Sequence, residues 1–454
     1  MMFQDAPTSE IEAMLSKLSK MKSNDLPNPK TDRTPAKNIS PPSPFADVGL
    51  QNIASSASGA RILFATDEWF AAADNLLEEG PPIFDPALFC NEGKVMDGWE
   101  TRRRREVGHD WCLISLSARA YIFGVEIDTA HFTGNNVPSI SIEAADLSPS
   151  HVTNMATGLP GSMERLLYGG KQGVGFNPEE VREAELACRS GMDWTELLGV
   201  TPLFPGYEES RMHYFTTSGN VGTHLRINYF PDGGVARIRI WGQEAPPAGR
   251  SKKPIYLPIT TGKLCTVVPH STTCQPPSQQ IYKYPEISCE TLGGEGVGCS
   301  NKHYGEPWKL IQSTMGKDMG DGWETARHPS RPPILFKDAA TGLVDSPLTD
   351  WAILKLGKVA VDGVARIILD TKHFRGNYPE SVHIEGVFID EGTGDVMSPQ
   401  LSWFALVPRT RMAPDSEHIF ERDLAQLENH SESVSHVRVS IYPDGGLSRV
   451  RVYG

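Results

Sequence analysis

The chain has 454 residues, room for about three domains of roughly 150 residues each. Its 39% hydrophobic content suits globular cores that need no metal or disulfide staple. No apolar run approaches the roughly 18 residues of a membrane span, and the formal net charge of −13 gains nothing from a phosphate backbone, so neither a membrane nor a nucleic-acid partner is expected.

Residues 1–46 contain seven prolines and many polar residues, too little apolar surface to order a core. They read as a disordered tail, with Ile11, Met14, Leu15, Leu18 and Met21 on one face of a short helix. Asp5, Glu10 and Glu12 argue against secretory and mitochondrial leaders. Seven cysteines without compact spacing predict reduced thiols and a cytoplasmic location.

Beyond the tail the chain repeats itself. Asp97-Gly-Trp-Glu-Thr101 recurs as Asp321-Gly-Trp-Glu-Thr325, and Asp110-Trp111 opens a strand-like run that recurs from Asp350-Trp351. Asp128-Thr-Ala-His-Phe-Thr-Gly-Asn135 returns as Asp370-Thr-Lys-His-Phe-Arg-Gly-Asn377, and Thr223–Gly242 as Ser435–Gly454. Four blocks in one order define a duplicated domain. Copy 1 spans 47–243, copy 2 spans 283–454, and 244–282 is a Pro/Ser/Lys-rich linker. Copy 1 has a longer excursion between Glu143 and His213, with a helical stretch at Pro178–Arg189. Copy 2 has a longer loop from His328 to Thr349.

Within copy 1 the strand-like runs are Trp111–Leu116, Gly124–Asp128 and Ser139–Glu143. Leu225, Ile227 and Tyr229 then alternate with polar residues, and after Pro-Asp-Gly-Gly the alternation resumes at Ile238 and Ile240. This pattern predicts a β-hairpin, with His224 and Arg226 on an exposed polar face. Many short strands and few helices predict an all-β protein of two tandem β-sandwiches.

The run Met96–Arg105, then Gly108-His-Asp-Trp111, Asp128–Asn135 and Ser141-Ile-Glu143 resembles the allantoicase family, in both copies and over everything but tail and linker. The resemblance implies two jelly-roll, galactose-binding-like domains and a hydrolase that converts allantoate and water to ureidoglycolate and urea. Copy 2 departs from the pattern. Ala326 stands where copy 1 has Arg102, and Leu348-Thr-Asp-Trp351 replaces the Gly-His-Asp-Trp run, so turnover is expected in copy 1.

Allantoate carries a carboxylate and two planar ureido groups on one carbon. Its hydrolysis needs a cation for the carboxylate, polar groups that read amides, an acid for the leaving nitrogen and a base for water. Glu100, His109, Asp110 and His131 are the candidate catalytic groups. Arg102 or Arg103 suits the carboxylate because a guanidinium fork matches it. Asn135 and Glu143 can meet the ureido groups, and Trp99 can wall one of them. Each has a plainer alternative. Trp99 and Trp111 fit a core, Asp97-Gly98 fits a turn, and His131 can bond its own loop. His109, Asp110, His131 and Glu143 can converge on a metal, yet no closed ligand motif requires it. Cys265, Cys274, Cys289 and Cys299 read as free thiols. No cofactor is expected, and a homo-oligomer is. The competing readings are a non-catalytic pair of ligand-binding sandwiches and an enzyme acting on ureidoglycolate.

Overall fold

The computed structural model describes residues 34–46, 49–246, 284–332, 334–390 and 394–454. The possible tail helix, Cys265, Cys274 and nearly all of the linker lie outside them. The described residues form two compact units that follow the two copies, each a jelly-roll β-sandwich. No helix among them is long and apolar enough to cross a membrane, and their five cysteines are free.

Copy 2 shows the layers most simply. A five-stranded sheet contains Glu295–Cys299, Asp350–Ala360, Val434–Tyr442, Ser381–Val387 and Phe404–Arg411, in that order across the sheet. A three-stranded sheet contains Glu417–Glu421, Arg366–Asp370 and Arg449–Tyr453. In copy 1 the same layers are joined by two long strands, Trp111–Asp128 and Met212–Phe230. Their pairing is interrupted between Thr216 and Asn220 and again between Gly222 and His224. There the strands leave one layer and enter the other.

The period-two alternation puts Leu225, Ile227, Tyr229, Ile238 and Ile240 in one core with Ile114, Val125, Ile127, Ile140 and Ile142. The expected hairpin does not form, however. Met212–Phe230 pairs with Trp111–Asp128 and Ser139–Ala145, whereas Arg237–Glu244 pairs with Trp111–Asp128 and Gln51–Asn52. The two arms never pair with each other. The Pro-Asp-Gly-Gly segment, entered through a cis Phe230–Pro231 bond, carries the chain across the sandwich instead. Val434–Tyr442 and Arg449–Tyr453 likewise belong to different sheets.

At the crossing, Gly234–Val235 pairs with Trp99–Glu100, and Gly446–Leu447 with Trp323–Glu324. This contact explains the glycine of each Asp-Gly-Trp. A Cβ on Gly98 would lie 2.7 Å from the Ala236 Cα, and one on Gly322 would lie 2.6 Å from the Leu447 oxygen. Arg237 and Arg449 then hold Asp97 and Asp321 at 2.8 and 3.0 Å.

Two expectations about exposure change. Within the expected tail, Phe45 is 1% exposed and packs against Tyr214 and Trp241. Arg211 donates to the Lys37 and Ile39 carbonyls. His224 and Arg226, expected on an exposed face, are buried. The helix Pro178–Arg189, capped by Asn177 and Glu180, supplies Glu185, 2.6 Å from Arg226.

Candidate active site

Two short segments of copy 1 run side by side, Asp67–Ala71 and Trp99–Arg102. The Phe70 N–H donates to the Glu100 carbonyl, and Trp99 Nε1 donates to the Asp67 carbonyl at 2.7 Å. Asp67 Oδ1 accepts the Arg102 backbone N–H at 3.0 Å, and Oδ2 accepts Nε of the same arginine at 2.5 Å. The Arg102 guanidinium sits 5.1 Å from the Trp69 ring centre. Its side chain is 38% exposed against 7% for Asp67. The pair therefore has a buried acidic end and a cationic end that solvent reaches. Burial pushes the Asp67 pKa up to about 6; Arg102 pulls it back, and nearby Asp110 adds to the rise.

Asp110 is a hub beside this pair. It accepts from Thr66 Oγ1 and Thr101 Oγ1, each at 2.8 Å, and from Arg104 Nη1 at 2.6 Å. Arg102 and Arg104, two residues apart in extended chain, thus both turn to the acidic pair Asp67 and Asp110. Arg103 is buried, as is its counterpart Arg327. Glu100 is buried and accepts from Asn135 Nδ2 at 2.8 Å.

His109 leads away from Asp110 into a second network. Its ring packs 4.6 Å from that of Phe230, and Nε2 lies 3.3 Å from Asn228 Oδ1. That oxygen also accepts from Arg226 Nε at 2.7 Å. An amide oxygen only accepts, so this contact puts the His109 proton on Nε2 and the lone pair on Nδ1. Burial, and then Arg226, push the His109 pKa down to about 4, while the Asn228 bond and Asp110 oppose the fall. The ring is neutral at physiological pH. Glu143 closes this network, accepting from Arg189 at 2.7 and 2.8 Å and from Asn228 at 3.1 Å. Burial raises its pKa, but these bonds outweigh burial and hold it below the ordinary value.

The structure therefore brings Trp99, Glu100, Arg102, Asp110 and Asn135 to one place, with His109 beyond Asp110. Trp99 is fully buried and stacks on Tyr229 at 4.1 Å, so it supports Asp67 from within the core. His131 is held separately. It sits at φ 71°, stacks on Phe84 at 5.3 Å, and its Nε2 lies 3.4 Å from the Pro82 carbonyl. His373 repeats this in copy 2, at φ 69° and 2.9 Å from the Gly316 carbonyl. Among the described residues, no three His, Cys, Asp or Glu side chains group closely enough to hold a metal ion.

Copy 2 keeps the scaffold and loses the charged pair. Asn377 donates to Glu324 at 2.6 Å, Ser300 donates to Asp350 at 2.6 Å, and Trp323 Nε1 donates to the Asn301 carbonyl at 2.9 Å. Asn301 Oδ1 accepts the Ala326 N–H at 3.2 Å, as Asp67 accepts that of Arg102. Asn301 and Ala326 thus replace Asp67 and Arg102 together, and Thr349 stands where copy 1 has His109. Sequence reasoning missed Asp67 and Trp69. The available signal was this paired loss of charge, visible once Thr66-Asp67 is matched to Ser300-Asn301.

The fold and this comparison define a tandem β-sandwich protein built by duplication, with a charged site special to its first copy. The chain belongs to the allantoicase family: the Allantoicase repeat matches residues 51–245 and 285–454. A probable allantoicase from Rhizobium meliloti (strain 1021) is 34% identical over 411 residues, covering 89% of this chain and 94% of that one. Probable allantoicase 1 from Burkholderia mallei (strain ATCC 23344) is 32% identical over 407 residues, covering 89% and 94%. The crystal structure of allantoicase from Saccharomyces cerevisiae is 28% identical, covering 89% of this chain and 93% of that one, with a TM-score of 0.30.

Proposed function

We propose that the working site of this allantoicase, which hydrolyses allantoate to ureidoglycolate and urea, lies in copy 1 around Arg102. The observation that carries this reading is the joint replacement of Asp67 and Arg102 by Asn301 and Ala326 on an otherwise retained scaffold. The Asp97–Arg237 pair, by contrast, is kept in both copies as part of the shared fold.

Arg102 receives the substrate carboxylate, and Asp67 fixes the approach of its guanidinium from behind. Glu100 and Asn135 offer an acceptor and an amide to the flat ureido groups. His109, neutral with its lone pair on Nδ1, takes a proton from the attacking water. Hydroxide bonds to the central carbon, the bond from that carbon to one ureido nitrogen breaks, and the proton passes from His109 to that nitrogen as urea leaves. An imidazolium whose pKa is pushed down to about 4 gives up its proton readily to such a poor leaving group. Asp110 orients Arg104 and the two threonines, and Glu143 orients Asn228 beneath His109.

Urea release from allantoate by the purified protein, compared with release from ureidoglycolate, tests the reading. Release from allantoate that falls at least tenfold in Arg102→Ala, with folding kept, supports it. Unchanged release from a folded Arg102→Ala protein overturns the site.

A further inference from the structure

The excursion peculiar to copy 1 contains a glycine-rich stretch, Gly169-Gly-Lys-Gln-Gly-Val-Gly175, that lies against the Arg102 site. Val174–Gly175 pairs antiparallel with Asp67–Glu68. The Gly173 N–H donates to the Trp69 carbonyl and the Phe176 N–H to the Thr66 carbonyl, each at 3.0 Å. Gln172 Nε2 donates to the Phe70 carbonyl at 2.6 Å. The stretch is therefore bonded along the whole segment that carries Asp67. A Cβ on Gly175 would run into Arg102 Nη2 and lie 2.5 Å from Asp67 Oδ2. Only a residue without a side chain lets the guanidinium lie flat there.

One arginine ties this stretch down. Arg165 Nε donates to the Ile62 carbonyl at 3.1 Å, and its guanidinium pairs with both Glu68 and Asp74. Asp74 in turn accepts the Gly170 N–H at 2.9 Å. Among the described residues, copy 2 has nothing similar. Its connection between the matching strands covers only 388–403, against 146–194 in copy 1. Lys302 stands in place of Glu68, and among the described residues no strand pairs with Asn301 and Lys302.

We propose that Gly169–Gly175 is the fixed wall of the substrate-carboxylate site, with Gly175 and Arg165 as positioning residues that set where the Arg102 guanidinium points. The inference rests on the reading of Arg102 as the carboxylate anchor. It assigns a task to the copy 1 excursion and explains why the Asp67–Arg102 pair and the excursion occur together.

The test is a double-mutant cycle between Gly175→Ala and Arg102→Ala, read as KM and kcat for allantoate, with Gly80→Ala, whose added Cβ meets nothing within 4 Å, as the silent control. Gly175→Ala is expected to raise KM about tenfold or more with kcat changed less than threefold, since a displaced charge-assisted contact carries that much. In the Arg102→Ala background the same change is expected to be silent, because the side chain it displaces is gone. Should Gly175→Ala fail to fold, Arg165→Gln, which leaves the backbone unstrained, is expected to give the same KM effect and the same silence without Arg102. Equal KM losses with and without Arg102 overturn the inference, as does a folded Gly175→Ala enzyme with unchanged KM. If Arg102→Ala itself leaves KM and kcat unchanged, it is the underlying site that fails.

Discussion

Converting the copy 1 pair to its copy 2 form, Asp67→Asn with Arg102→Ala, separates the anchor's role in turnover from its role in folding. Arg102→Ala alone removes the partner of a carboxylate that is only 7% exposed. Stripping one partner from a fully buried ion pair costs about 3–5 kcal/mol. Here Arg102 is 38% exposed, which weakens the pair by solvent screening, and Asp67, already pushed up to about 6, escapes by taking a proton. A loss of about 1–2 kcal/mol follows, or roughly 2–8 °C in the melt of a domain this size. Adding Asp67→Asn removes the stranded carboxyl and leaves the arrangement of Asn301 and Ala326, where the amide oxygen accepts the backbone N–H at 3.2 Å. The double variant is therefore expected to regain the melting temperature and not the activity. Its kcat/KM should stay about ten- to hundredfold down, the worth of a charge-assisted contact to a carboxylate. The pH profile adds a second reading. Below about 6 Asp67 is protonated and no longer holds Arg102, so wild-type kcat/KM should rise as pH increases through 6, and Asp67→Asn should abolish that limb. Urea release between pH 5 and 8 with matched melts measures both. A double variant that recovers turnover along with stability would show that Arg102 serves only the fold.

His109, His213 and His224 are each pushed down to about 4 by burial, so the unfolded chain binds more protons than the native one between about pH 4 and 6.5. Stability should hold above 6.5 and fall toward pH 4, by up to about 3 kcal/mol per histidine; urea melts that stay flat over that range would refute this. His213 contributes because its Nε2 accepts the Phe204 N–H at 2.7 Å, a bond that protonation forbids. Deleting residues 1–33 should leave the melting temperature within about 2 °C and kcat within about twofold of the full chain. Deleting 1–46 also removes Phe45 and should cost several degrees, since emptying a buried phenylalanine site costs about 3–5 kcal/mol; equal melts for the two truncations would show that Phe45 carries no stability. Finally, Asn301→Asp with Ala326→Arg, placed in copy 2 of an Arg102→Ala enzyme, should not restore urea release, because among the described residues no strand of copy 2 lies against that pair. Restored turnover would make the wall dispensable.

What the sequence revealed and what it hid follow from how far apart the interacting residues lie. The duplication and the apolar alternation were legible because both are written locally and written twice. The hairpin was not, because Leu225–Tyr229 and Ile238–Ile240 show which residues face the core and not which strand each arm joins. Asp67 was hidden because its partner is 35 residues away and Thr66–Trp69 resembles no motif by itself. His224 and Arg226 looked exposed because the helix that covers them comes from the excursion some forty residues earlier. Phe45 looked like tail because Pro41, Pro42 and Pro44 precede it, yet it lies against Gly124, where any side chain on the facing strand would collide with its ring.

The two copies differ in a way that bears on how a site is built on this fold. The Glu100–Asn135 bond, the tryptophan held on the carbonyl of residue 67 and the hydroxyls on Asp110 all recur in copy 2 as Glu324–Asn377, Trp323 on Asn301 and Ser300 on Asp350. A scaffold repeated this closely accounts for none of the difference in charge between the copies. Arg102 lies against two things that copy 2 lacks together among the described residues, a buried carboxylate that holds its Nε and a neighbouring strand whose Gly175 leaves room for the guanidinium. Asn301, Lys302, Ala326 and the short 388–403 connection are consequently one joint change, and on the proposed reading the carboxylate anchor needs both the repeated positions 67 and 102 and the excursion that the duplication did not repeat.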